Sequence, residues 1–186
     1  MNQTPIYTIN RALTIIGDPM FPQIDFTKLN LMDALDLAIL IEEEAYERYT
    51  LFNEQLGHRY PNDAASVFRR MAESEKKHGD ELSYRRKDLF GDKPSNVNKD
   101  SIFDIEAPEV GSTRWNMSPY KAFQLVLSSE EKSYAFFDEA LTYVKDDKVR
   151  DLFTELREEE AEHAQMIKDF IAALPPEAYN DLEDED

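Results

Sequence analysis

Cysteine is absent from the chain, which removes disulfides, thiolate zinc sites, iron–sulfur clusters and a rubredoxin-type iron centre from consideration. Basic residues are scarce. Against 39 Asp and Glu stand 21 Lys and Arg, and the resulting net charge of −18 repels nucleic acid and anionic membrane alike. No apolar run approaches the roughly 20 residues that span a bilayer. The N-terminus also lacks the basic, apolar, small-residue pattern of an export signal. The expectation is a cytoplasmic protein with no nucleic-acid and no membrane partner. Histidine is rare too, occurring only at positions 58, 78 and 163. What is plentiful is apolar side chain, 41 % of 186 residues, enough for one globular domain with a continuous core.

That apolar content falls into four helical stripes. Leu31, Leu35, Ala38, Glu42, Ala45, Tyr49 and Phe52 advance by the 3–4 spacing of one helix face, predicting a helix over about 30–56. Ala64, Phe68, Met71, Glu75, His78, Leu82 and Leu89 predict a second over about 61–89, after a return at Gly57 and Pro61. Ser118-Pro119 reads as a cap and first-turn proline for a third, about 118–145, with Phe123, Val126, Glu130, Ser133, Phe137, Leu141 and Val144 in line. A break near Asp146-Asp147 precedes the fourth, whose stripe of Val149, Phe153, Leu156, Glu160, His163, Ile167, Phe170 and Leu174 stops at Pro175-Pro176.

Residues 1–29, with Pro5, Pro19 and Pro22, read as an irregular arm carrying one short helix at about 9–16. Residues 175–186 read as an acidic tail, disordered from Asp181 onward. Between helices two and three lies a connector of 27 residues, 91–117, of different texture, with one apolar patch at Ile102, Phe103 and Ile105. Such length is unusual inside a compact domain. Extended at about 3.3 Å per residue, it can traverse a whole bundle. The expected architecture is all-α: a four-helix bundle over 30–174, made of two antiparallel hairpins joined by one long crossover.

Two of the three histidines close the same phrase, Glu75-Lys76-Lys77-His78 and Glu160-Ala161-Glu162-His163. Another glutamate interrupts the preceding stripe 33 and 30 residues upstream, at Glu42 and Glu130. The two halves echo each other further, each such glutamate being followed by Tyr at +4 and an aromatic at +7. Glutamates at these positions face the core, where a lone carboxylate costs several kcal/mol or takes up a proton. Two divalent cations would balance the four charges, and neutral imidazoles would complete the shells. In Glu-x-x-His both side chains share one helix face, so the glutamate can bridge two metals while the imidazole caps one. Glu42, Glu75, His78, Glu130, Glu160 and His163 are therefore the candidate metal ligands. Oxygen-rich donors with one imidazole per metal favour iron, then manganese, as two irons or a mixed pair. Glu43, Glu44, Glu131, Glu158, Glu159 and Glu162 fall off the stripes onto solvated faces, and His58 reads as an ordinary surface residue.

On these motifs, from about residue 30 to 174, the chain resembles the ferritin-like superfamily and, within it, the rubrerythrin-like proteins. The resemblance implies a non-haem di-iron centre that reacts with dioxygen or hydrogen peroxide. Relatives of that type often carry a rubredoxin-like domain, which a chain without cysteine cannot build, so an external electron donor is implied. They also typically place a further glutamate three residues after the helix-three ligand, where this chain has Ser133. Tyr46, Tyr49 and Tyr134 lie within one or two turns of the glutamates, as candidates for catalytic hydrogen bonding or side-electron donation; core packing is the equal alternative.

Three functions remain open on the sequence. One is an oxidoreductase of peroxidase or ferroxidase character, expected as a homodimer. Another is an iron-storage or iron-handling protein of ferritin type without dedicated peroxidase activity. The third is a metal-free bundle whose glutamates and histidines form a hydrogen-bonded network.

Overall fold

The computed structural model describes residues 24–97 and 105–182. Most of the arm 1–29, with its expected helix at 9–16, lies outside the described residues, as do Ile102, Phe103 and the tail beyond 182. Among the described residues, four long helices and one short 3-10 turn make up the regular structure: α1 (Leu31–Leu56), α2 (Ala64–Phe90), α3 (Pro119–Ala140), α4 (Asp147–Ala172) and the turn Pro176–Tyr179.

Each helix begins where a short polar side chain can take up orphaned N–H groups. Asn30 Oδ1 accepts from the amides of Met32 and Asp33 at 3.0 and 3.1 Å. Asp63 Oδ1 accepts from Ser66 N at 2.9 Å, and its Oδ2 from Arg59 N at 2.7 Å, which ties the α1–α2 turn to the cap. This delays α2 to Ala64, because Pro61 and Asn62 (φ 61) are spent on the turn. Ser118 and Asp146 cap α3 and α4, with Pro119 in the first turn of α3. α3 stops at Ala140 rather than near 145. Its last carbonyls are taken by tightened i+3 bonds from Thr142 and Tyr143, and Arg150 donates to the carbonyls of Leu141 (3.0 Å) and Val144.

Two apolar clusters reveal how the helices run. One gathers Leu35 and Ile41 from the first half of α1, Leu82 from the second half of α2, Phe137 from late α3 and Leu152 and Phe153 from early α4. The other gathers Tyr49 and Phe52 from late α1, Phe68 from early α2, Phe123 and Val126 from early α3 and Ile167 from late α4. α1 and α4 therefore point one way, α2 and α3 the other. α2 ends at the opposite end of the bundle from where α3 starts. The connector must climb the full length, about 39 Å for a 26-residue helix. This is the single-crossover bundle, with the region between the two clusters left for polar residues.

Two stripe positions depart from expectation. Leu89 is 51 % and Phe170 41 % exposed. Both lie in the last turn of their helices, beyond Leu82 and Ile167, the final buried residues of α2 and α4. The start of the tail, Asp181 and Leu182, is also more firmly placed than its acidity suggests. Asp181 Oδ1 accepts from Ser118 N at 3.0 Å, Lys121 bonds Asp181 Oδ2, and Leu182 N donates to Asn116 O at 2.9 Å. One acidic residue facing the positive start of α3 is what docks it.

Candidate metal centre

Glu42, Glu75, Glu130 and Glu160 occupy the middle of α1, α2, α3 and α4 in turn, each at most 5 % exposed. The structure brings them together between the two apolar clusters. One ligand atom each from Glu42, Glu75 and His78 lies within 4.8 Å of the others, and the same holds for Glu130, Glu160 and His163. His78 Nδ1 sits 3.6 Å from Glu75 Oε2, and His163 Nδ1 3.3 Å from Glu130 Oε2 and 3.9 Å from Glu160 Oε2. The two imidazoles stack face to face, centroids 4.8 Å apart and planes within 5°. Each hairpin thus contributes two carboxylates and one imidazole, and the two sets meet back to back.

Burial dominates the electrostatics. Glu130 is pushed up to about 8, first by burial, then by the neighbouring Glu75 charge, with a hydrogen bond to Glu160 pulling the other way. Burial likewise holds Glu42 well above the carboxylate range, reinforced by Glu75 and Glu160. Glu160 is raised by burial and then by Glu130, and His163 offsets part of it. Despite Ser133 Oγ donating to Glu160 Oε1 at 2.9 Å, each of the four glutamates leaves one oxygen with no hydrogen bond: Glu42 Oε2, Glu75 Oε1, Glu130 Oε1 and Glu160 Oε2. Orphaned buried oxygens are rare because each costs about 1–3 kcal/mol. A cluster of them, flanked by two ring nitrogens, could hold a metal.

A residue that the helical stripes did not reveal also enters the cluster. Glu106, in the connector, is 1 % exposed with both oxygens unpaired. It lies within 4.8 Å of the ligand atoms of Glu42 and Glu160, and of those of Glu75 and Glu130. The available signal was a charge set among apolar neighbours, in Ile105-Glu106-Ala107. Arg48, also buried, was equally unmarked; it donates to Pro108 O and pairs with Glu44 Oε1 at 3.4 Å.

The three tyrosines differ in placement. Tyr49 is fully buried, and its hydroxyl makes no hydrogen bond of ordinary geometry. Burial and then the Glu130 charge drive its acidity far down, with the Ser129 hydroxyl opposing. Tyr46 is half-buried against the apolar cluster around Phe52, and Tyr134 is 37 % exposed. Glu43, Glu131, Glu158, Glu159 and Glu162 face solvent, as expected of off-stripe positions, while Glu44 is half-buried beside Arg48. His58 is exposed, 3.6 Å from Asp63.

Comparison with known proteins places the chain in a family. The family model for Rubrerythrin matches residues 33–171. A conserved protein of uncharacterised function from Magnetospirillum magnetotacticum MS-1 is 30 % identical, with a TM-score of 0.62 over 79 % of this chain and 97 % of that one. Bacterioferritin of Rhodobacter capsulatus, solved with a metal-free dinuclear site and haem iron, is 19 % identical. Its TM-score is 0.52 over 83 % of this chain and 95 % of that one, and it shares the fold. No curated protein matches the chain.

Proposed function

The chain belongs to the rubrerythrin family, and from that premise we propose that its mid-bundle cluster is a two-metal centre, two irons by preference, serving an oxidase, peroxidase or ferroxidase reaction with dioxygen or hydrogen peroxide. The observation that carries this reading is the set of four orphaned glutamate oxygens beside two stacked imidazoles. Glu42, Glu75 and His78 would hold one ion and Glu130, Glu160 and His163 the other. When bound, such a pair supplies one electron per ferrous ion to the oxidant, and an external donor restores it.

The protein's own residues do the rest. Four carboxylates at −4 would offset two divalent ions at +4, which compensates their burial and removes their mutual repulsion. The apolar clusters above and below exclude water, and Ser133 fixes the rotamer of Glu160 through its 2.9 Å hydrogen bond. Tyr49 stands beside the cluster as a hydrogen-bond donor or spare reductant. No helix among the described residues is long and apolar enough to cross a membrane.

Anaerobic loading with Fe(II), followed by oxygen or peroxide, is expected to give two irons per chain and a ferric absorption band. Protein that stays colourless with stoichiometric iron would overturn the reading. Size-exclusion chromatography separates the enzymatic role, for which a homodimer is expected, from iron storage, which calls for a large multi-subunit shell.

A further inference from the structure

The connector does more than span the bundle. Residues 105–108 form a buried strap between α1 and α3: Ile105 and Ala107 are almost wholly covered, the Arg48 guanidinium on α1 donates to Pro108 O, and Lys132 Nζ on α3 donates to Ala107 O at 2.9 Å. Two cations gripping successive carbonyls, Ala107 O and Pro108 O, fix the strap immediately after Glu106. Its carboxylate points inward with neither oxygen hydrogen-bonded, within reach of both hairpins' ligand sets. A buried carboxylate held this way, with no hydrogen-bond partner among the described residues, calls for a compensating cation.

We propose that Glu106 is a seventh ligand of the metal pair, delivered by the crossover, so that metal binding and docking of the crossover are one event. This rests on the two-metal reading above. With Glu106 included the donors number five carboxylates and two imidazoles, one negative charge beyond what two divalent ions neutralise. The set then suits a pair that gains positive charge on oxidation. It also makes the fourfold set of helices insufficient: a bundle with its crossover undocked would keep six donors and lose the one that touches both halves.

The test is a titration of metal-free protein with Co(II), read by visible absorption, together with hydrogen exchange of peptides covering 105–118. Wild type is expected to take up two Co(II) per chain and to slow exchange in the strap. Glu106→Gln should bind the weaker ion at least about tenfold less tightly, with altered band intensity, and its strap should exchange at the same rate with and without metal. Glu109→Gln, exposed in the same segment, should match wild type. Glu106→Asp, which retracts the charge by one methylene, should fall between, and serves if the amide variant folds poorly. Co(II) affinities, bands and exchange in Glu106→Gln identical to wild type would overturn the proposal and leave the two-metal reading standing. Wild type that binds no Co(II) would overturn both.

Discussion

A carboxyl that keeps its proton near neutrality makes the metal-free protein sensitive to base. Glu130 is held at about 8 against an ordinary 4.5. Between those values the folded protein keeps a proton that the unfolded chain has released. Its contribution to stability is complete below about 4.5 and is lost as pH climbs through about 8. Glu42, Glu106 and Glu160 are raised in the same sense. Chelated protein should therefore be less stable at pH 8 than at pH 5, by on the order of a few kcal/mol in denaturant melts. Glu130→Gln, which cannot ionise, should flatten the slope, and metal-loaded protein should show the opposite slope because ions and protons compete for the same oxygens. At this scale the sequence was largely legible. Glu42, Glu75, Glu130 and Glu160 interrupt apolar stripes, so burial of the stripe forces burial of the charge. Glu106 was not legible, because its burial depends on the path of an irregular segment, for which no periodicity exists.

Among the elements, α2 carries an unusual choice, glycine at 79 in the middle of a helix, next to His78. A Cβ there would meet Glu42 Cβ at 3.4 Å, an ordinary contact at the point where α1 and α2 pass closely. Gly79→Ala is expected to stabilise the protein by about 0.5–1 kcal/mol in denaturant melts, since the helix loses a conformationally costly residue without a clash. The start of α3 was readable from Ser118-Pro119, while the caps Asn30 and Asp146 fall where the stripes and the chain break only bracketed a start. Ends were harder. The early stop of α3 depends on Arg150, ten residues past the last helical position, claiming the carbonyls of Leu141 and Val144. No local signal in 141–145 announces that arrangement.

For the whole molecule, the core is two oily blocks separated by an acidic waist. Without metal, protons alone offset the charges there, and the coupling between the blocks is expected to be weak. Calorimetry of chelated protein should give a broad transition whose van't Hoff enthalpy falls below the calorimetric value, and metal should sharpen it into one cooperative step and raise its midpoint. Equal widths in both states would show that the waist does not divide the core. The crossover topology was legible from loop length alone, since 27 residues exceed what a tight hairpin needs.

The donor triads divide the molecule lengthwise, one per hairpin, whereas the oily blocks divide it crosswise, each drawing on all four rods. A chain severed within the connector would thus yield two fragments, each holding a full triad but only half of every greasy contact. Neither fragment has the means to keep its shape in isolation, yet each is the other's missing surface. A single ancestral hairpin that paired with its own copy would have possessed both triads and both oily blocks, and would have gained Glu106 only once a linker joined the two.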